Sequence, residues 1–457
     1  MNWASGAFSG KLVGVNARTL RSFVPSSLLV LLASGALSSC RLTESLDGFA
    51  ASGGAAAEDA GGTGGLNDSG VADSEPQDAS QEATGGAAGS ALDAEPEAWP
   101  GPCSTGDCVG GCMNCDNLTG CETDPSVDTK NCGACAHDCQ GGACVHGICQ
   151  SYTLTSQINM PWSIYADETS AYWVAEGPLN SGFLMSIPVN GGATNTLASG
   201  QAGPKFVLGD DQYLFWTTFA SGGAIWRIEK AGANLKQLSS AKGPQGLAQG
   251  SSYLWWTNAS DGSIRRVPKN SSQSSVVTTG QPNPIDIATD PSNPSRVYFT
   301  TATDGGVKYY DADGNKLTTL STSNPMPLAV AVDAQYVYWA NAGSFANGEC
   351  LAADGTIMSA NKENGWSRTQ LADKQACPQR IWMDGGTLYW TNAGTSTSGT
   401  YNNDGSIMRN VAGPQRTTEV VEGGQVRPYG IATNATSIFW TEQGLYEGTG
   451  SVKKRAK

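Results

Sequence analysis

Ten cysteines in residues 103–149 form the densest group of reactive side chains in this 457-residue chain. They are Cys103, Cys108, Cys112, Cys115, Cys121, Cys132, Cys135, Cys139, Cys144 and Cys149. Thiols at this density either pair as disulfides or bind a metal such as zinc. The even count allows five disulfides, although the sequence does not select among the possible pairings.

Zinc is the alternative for this group because Cys112/Cys115 and Cys132/Cys135 have the C-x-x-C spacing of zinc sites, with His137 and His146 nearby. An oxidising compartment would favour disulfides instead. We therefore predict a disulfide module over residues 101–150, and no metal or other cofactor.

The N-terminus predicts export to such a compartment. Residues 1–43 contain no acid, and three basic residues precede the apolar run LLVLLASGAL (28–37), which is too short to span a bilayer. The run ends in LSSC (37–40), which resembles the lipobox of bacterial lipoproteins. That resemblance implies a signal peptide over residues 1–39 and a lipid on Cys40. Arg41 then favours the outer membrane, on its periplasmic or surface side. An ordinary cleaved signal is the alternative.

The net charge of −14 belongs to one segment of the chain. Residues 41–100 hold twelve acids and one arginine, whereas residues 151–457 are nearly neutral. A segment so poor in apolar residues does not fold, so we predict a disordered acidic linker over residues 40–100, with an acidic interaction tail as the alternative. The chain has no basic face, which argues against nucleic acid as a partner.

Catalytic side chains are scarce in the C-terminal two thirds. No histidine follows His146, which removes the commonest general base and metal ligand from residues 147–457. Where the first strands of the repeat described below begin, the sequence shows no nucleophile motif, no phosphate-binding glycine loop and no cluster of carboxylates. Metal catalysis by carboxylates alone remains the enzymatic alternative.

A repeat beginning at residue 161 predicts the elements that must position any site. Each unit opens on a proline, continues as a strand of small and aliphatic residues, and reaches a second strand ending in two aromatics, as in PYGIATNATSIFW (428–440). The opening prolines are Pro161, Pro204, Pro244, Pro284, Pro327, Pro378 and Pro428. Several short strands in each repeat of 40–51 residues are typical of a β-propeller. We predict an all-β fold: a seven-bladed propeller over residues 151–457, preceded by the disulfide module and the disordered linker.

The last repeat ends at GSVKKRAK (450–457) without an outer strand of its own. The orphan stretch SYTLTSQINMP (151–161) matches outer-strand segments such as RTQLADKQACP (368–378). An open ring would leave unpaired sheet edges. We therefore predict that the N-terminal strand completes the seventh blade, with Leu154 alongside Val452.

The second strands carry a motif. YWTN (389–392), WWTN (255–258) and FWTE (439–442) resemble the YWTD repeats of LDL-receptor class B propellers. That family has six blades and this chain has seven repeats, so the family's ligand residues do not carry over. The aromatic pairs themselves are expected to fill the space between blades.

The first strands begin on the same face of the ring as the links between second and third strands; we call it the top face. The residues at or just after each proline should line the axial mouth there: Trp162, Lys205, Gln245, Asp286, Gln379, Arg380 and Tyr429. Two long links, residues 342–355 and 393–405, fall on this face, and Cys350 and Cys377 can form a disulfide there. Either these links contribute to recognition, or their length is neutral variation without a function.

Together these features predict a monomeric, non-enzymatic, lipid-anchored protein of the cell envelope. Its partners would be the membrane, through Cys40, and an unidentified protein or carbohydrate ligand on the top face. A lyase or lactonase-like hydrolase with a carboxylate-bound metal is the alternative, by resemblance to other propeller enzymes. Streptogramin-type lyases of seven blades use a histidine, which this propeller lacks.

Overall fold

A computed structural model describes the C-terminal three quarters of the chain. The described residues are 111–116, 121, 123–178, 181–220, 222–346, 348–362, 367–397, 399–411 and 417–457. The predicted signal peptide, the lipid site at Cys40, the linker, Cys103 and Cys108 lie outside them. Among the described residues, no helix has the length and apolar character needed to cross a membrane.

The fold is all-β, and seven four-stranded antiparallel sheets form a seven-bladed propeller, which confirms the predicted architecture. The chain enters through a short hairpin, β1 (Cys144–Val145) and β2 (Ile148–Cys149), followed by β3 (Tyr152–Ile158). Blade 1 contains β4 (Pro161–Ala166), β5 (Ser170–Ala175), β6 (Gly182–Pro188) and β7 (Asn195–Gln201). Blade 2 contains β8 (Pro204–Gly209), β9 (Tyr213–Thr218), β10 (Ala224–Glu229) and β11 (Lys236–Ser240).

Blades 3 to 5 continue the same order from the axis outward. Blade 3 contains β12 (Pro244–Gln249), β13 (Tyr253–Asn258), β14 (Ser263–Pro268) and β15 (Ser275–Thr278). Blade 4 contains β16 (Pro284–Asp290), β17 (Asn293–Thr301), β18 (Gly306–Asp311) and β19 (Lys316–Ser321). Blade 5 contains β20 (Pro327–Val332), β21 (Tyr336–Asn341), β24 (Gly355–Asn361) and β25 (Arg368–Gln375), with the hairpin β22 (Phe345–Ala346) and β23 (Glu349–Cys350) inserted before β24.

Blade 6 repeats that insertion. It contains β26 (Pro378–Asp384), β27 (Thr387–Asn392), β30 (Gly405–Val411) and β31 (Thr417–Gln425), with β28 (Ser396–Thr397) and β29 (Thr400–Tyr401) before β30. Blade 7 contains β32 (Pro428–Thr433), β33 (Ser437–Glu442) and β34 (Gly450–Ala456), and β3 is its outer strand.

The ring closes as predicted, because β3 pairs antiparallel with β34. The register differs by one residue: Thr155, not Leu154, is the partner of Val452, and Leu154 falls at a bulge. Leu154 and Val452 still pack in one buried cluster with Trp173 of blade 1. The N-terminal strand therefore joins the last blade to the first.

Repeated contacts hold neighbouring blades together. In blades 2, 5, 6 and 7 the buried tryptophan of the second strand donates its indole N–H to an amide oxygen at the end of the preceding blade: Trp216 to Gln201 (2.9 Å), Trp339 to Asn324 (3.2 Å), Trp390 to Gln375 (2.9 Å) and Trp440 to Gln425 (3.1 Å). On the bottom face, where the first strands end, lysines pair with aspartates of the preceding blade, as Lys230 does with Asp167 at 2.7 Å. The sequence repeat thus encodes the blade boundaries.

The cysteine module is disulfide-bonded and packs on the closing blade. The disulfides are Cys115–Cys135, Cys132–Cys144 and Cys139–Cys149, and Cys112 and Cys121 are also disulfide-bonded. Cys132, Cys139 and Cys149 lie close enough together for a metal, but their thiols are already in disulfides. Four of these cysteines pack against Ala456 of β34, and His137 Nε2 lies 3.2 Å from the Lys457 backbone oxygen.

Candidate binding site at the top face

A bulge near the start of the inner strands positions the top-face side chains. In β26 the pairing register shifts just after the opening proline, and the hydroxyl of Thr391 accepts the freed Arg380 N–H at 3.3 Å. The same hydroxyl donates to the Tyr429 carbonyl of the next blade at 2.8 Å. Thr257 and Thr441 make the equivalent contacts in blades 3 and 7. The threonine that follows the aromatic pair therefore fixes the bulged backbone of its own inner strand against the inner strand of the next blade. The mouth residues project from this backbone.

Arg380 and Asp286 meet at the centre of the mouth. Their side chains are 11% and 7% exposed, and Arg380 Nη1 lies 3.4 Å from Asp286 Oδ1. Arg380 Nη2 also donates to the Tyr429 hydroxyl at 2.9 Å, and its guanidinium lies over the rings of Phe206 and Tyr429. Asp286 Oδ2 accepts the backbone N–H of Val330 at 3.0 Å.

Trp162 extends this group toward blade 2. Its ring meets Tyr429 edge-on, with centroids 4.8 Å apart, and the Lys205 ammonium lies 3.3 Å from its centroid. Glu176 joins the two residues, since it accepts from Trp162 Nε1 at 2.8 Å and pairs with Lys205 Nζ at 3.3 Å. Aromatic rings, two cations and two carboxylates are therefore connected in one half-buried group.

Burial dominates the electrostatics of this group. It raises the pKa of Asp286, against the opposing charge of Arg380. Burial also lowers the pKa of Lys205 to about 8, although the Glu176 carboxylate opposes this; the neighbouring charges of Arg427 and Arg380 lower it further. The four charged side chains of the group lose most of their hydration, and the opposite charges within the group are the main compensation for that loss.

Five of the seven predicted mouth residues belong to this group: Trp162, Lys205, Asp286, Arg380 and Tyr429. Gln379 instead donates to Cys377 Sγ at 3.0 Å. Gln245 is half-buried and, among the described residues, its side chain has no hydrogen bond. Glu176 and Phe206 also belong to this group, and neither was among the residues predicted for the mouth. Phe206 is the third residue of its inner strand, the position that Asp286 and Arg380 occupy, so that alignment could have found it.

The two long links meet beside the mouth. Cys350 and Cys377 form the disulfide that their positions suggested, and both are buried. Ser396 donates to the Cys350 carbonyl at 3.1 Å, and the Tyr401 hydroxyl donates to the Gly348 carbonyl at 3.3 Å. The Arg427 guanidinium lies over the Tyr401 ring at 4.8 Å. The two hydrogen bonds therefore connect the links to each other, and the disulfide fixes the first link to the start of blade 6.

An axial cavity of about 330 Å³ lies on the bottom side of the Arg380–Asp286 pair. Its lining begins at the third residues of the inner strands, which include this pair, and reaches residues near their ends, such as Gln249 and Met383. The second residues of these strands, Trp162 and Tyr429 among them, do not line it. The pair thus lies between the cavity and the outer residues of the mouth group, such as Trp162 and Tyr429.

No family model matches the chain, and no curated protein matches it. Among solved structures, virginiamycin B lyase from Staphylococcus aureus is 16% identical, with a TM-score of 0.50, covering 67% of this chain and 98% of that one. An oligogalacturonate lyase in complex with manganese is 15% identical (TM-score 0.49; 68% and 93% covered). A chain of a nidogen–laminin complex is 19% identical (TM-score 0.39; 50% and 85% covered). At these identities the likeness shows the fold alone.

Proposed function

We propose that this protein is a lipid-anchored component of the cell envelope, held in the outer membrane by acylated Cys40 and the acidic linker, whose YWTD-like propeller is a recognition scaffold. The ligand, a protein or carbohydrate, binds at the top face. The observation that carries this proposal is the connected group of Trp162, Lys205, Arg380 and Tyr429 at the axial mouth.

The composition of that group suits recognition. Aromatic rings offer apolar contact area with little conformational entropy to lose, and cations stacked on them are held in fixed positions. The stapled links of blades 5 and 6 provide a second, rigid contact surface beside the mouth. Binding residues are commonly found on loops that a rigid scaffold holds in place.

The enzymatic alternative requires carboxylates that can hold a metal at the mouth. Asp286 is the one carboxylate among the mouth residues predicted from the sequence, and in the structure it is paired with Arg380. This pairing favours binding over metal catalysis. Metal analysis of the full chain tests the choice: a stoichiometric divalent ion that is lost in Asp286→Ala would favour the enzyme.

Binding is tested with the full chain on a glycan array and against separated envelope proteins. We expect a ligand whose binding is weakened by Trp162→Ala and by Arg380→Gln, whereas Val276→Thr, an exposed change on the outer strand of blade 3, leaves it intact. Ligands that bind both mouth variants like the wild type would contradict the top-face site. Fatty-acid labelling that persists in Cys40→Ala would contradict the lipid anchor.

A further inference from the structure

The axial cavity lies on the other side of the Arg380–Asp286 pair from Trp162 and Tyr429, and it shares Phe206 and this pair with the mouth group. Its volume of about 330 Å³ lies at the small end of ligand pockets, which span roughly 300–1,000 Å³. Tyr165, Trp382 and Met383 line it near the ends of their strands and are half-buried. A ligand would therefore enter from the bottom face.

The charges of the cavity cancel. Among the described lining residues, Asp286 and Arg380 alone are charged, and they pair with each other. A charged ligand would lose its hydration without finding a free counter-charge. The lining therefore favours an uncharged occupant.

Several polar atoms of the lining are not hydrogen-bonded. Nε and Nη1 of Arg380, Oδ1 of Asp286 and Oε1 of Gln249 are buried and make no hydrogen bond in the described chain, although Nη1 and Oδ1 face each other at 3.4 Å in the ion pair. Buried polar groups are normally paired with protein, water or ligand. The set includes both donors and acceptors, and hydroxyl groups can serve both.

The remaining walls are apolar. Val207, Leu247, Val330 and Ile381 supply aliphatic surface, and Tyr165 and Trp382 supply rings toward the bottom face. We propose that the cavity binds an uncharged, polyhydroxylated molecule of monosaccharide size. Its hydroxyls would pair with Arg380, Asp286 and Gln249, and its C–H faces would pack on the apolar wall.

The test uses the full chain and three neutral hexoses (glucose, galactose and mannose), each with its uronate and amino-sugar counterpart, in calorimetric and saturation-transfer NMR titrations. Two glutamines of β12 give a matched pair of variants: Gln249→Met removes a polar group of the cavity, and Gln245→Met changes the other end of the same strand. Ala288→Leu, at a half-buried lining position, fills space without altering a polar group. Thermal melting establishes that each variant is folded.

At least one neutral hexose should bind, and both charged counterparts should bind at least about tenfold more weakly. Gln249→Met and Ala288→Leu should weaken binding at least about tenfold, whereas Gln245→Met should not. The proposal is overturned if none of the neutral hexoses binds, if a charged analogue binds equally well, or if folded cavity variants bind like the wild type. Because Gln249 and Ala288 line the cavity but do not belong to the mouth group, the effects of these variants are distinguishable from those of the top-face variants.

Discussion

Trp390 of blade 6 donates its indole N–H to Gln375 Oε1, at the end of blade 5, at 2.9 Å. The same oxygen accepts from Asn392 at 2.9 Å. Trp390 is fully buried and Gln375 nearly so. One glutamine oxygen therefore accepts hydrogen bonds from two polar side chains of the motif YWTN in the next blade.

Replacing that glutamine should be costly. Gln375→Leu would leave the indole N–H of Trp390 buried without its acceptor and would leave the Asn392 amide with Ser406 as its remaining acceptor, so we expect a loss of about 1–3 kcal/mol in the free energy of unfolding. Urea denaturation measures it. Gln273→Leu, at an exposed position in blade 3, is the control and should change stability by less than about 0.5 kcal/mol. Equal effects of the two changes would contradict this account.

The cysteine module should stabilise the pairing of β3 with β34, which closes the ring. Cys149 lies three residues before β3, and the Cys139–Cys149 disulfide belongs to the cluster that packs on Ala456 of β34. Cys139→Ser/Cys149→Ser should lower stability by about 2–3 kcal/mol, since the bond closes a short loop. Amide hydrogen exchange should accelerate in β3 before it does in β5, an internal strand of blade 1. Unchanged protection of β3 in the folded variant would show that the module does not support closure.

Lys205 should make stability depend on pH. Its folded-state pKa is about 8, lowered by burial from the ordinary value of 10.5. Between these values the unfolded state binds more protons than the folded state, so the free energy of unfolding rises with pH. Relative to Lys205→Met, the wild type should gain stability from about pH 8 to 10.5 and show a constant difference below pH 8. Urea denaturation across this range gives the difference, and one that stays constant throughout would contradict the pKa.

The sequence was sufficient for the blade count and the closure because seven prolines align the repeats and the last repeat lacks one strand. The register of β3 was wrong by one residue, because Leu154 falls at a bulge. The outer strands of the other six blades have a bulge at the aligned residue, as at Leu371 in blade 5, so the bulge belongs to the repeat, although the sequence alone does not show the backbone pairing that produces it. Alignment to the prolines also placed Trp162 and Tyr429 at the mouth. It could not show that Arg380 of blade 6 reaches Asp286 of blade 4, because that contact depends on side-chain length and direction rather than on the repeat.

The Arg380–Asp286 pair supports a last prediction. Removing one partner of a buried pair leaves the other charge uncompensated, which typically costs about 3–5 kcal/mol. Arg380→Gln should therefore destabilise the protein strongly, because Asp286 would stay buried beside an uncharged side chain.

A second change should recover much of that loss. Asp286→Asn removes the charge but keeps an oxygen for the Val330 N–H, so the double variant Arg380→Gln/Asp286→Asn should be more stable than Arg380→Gln alone. A double-mutant cycle from urea denaturation measures the coupling, expected to exceed about 1 kcal/mol. Additive effects would mean that the two charges do not compensate each other. The position of Arg380 would then be fixed by the packing of its guanidinium on Phe206 and Tyr429 instead.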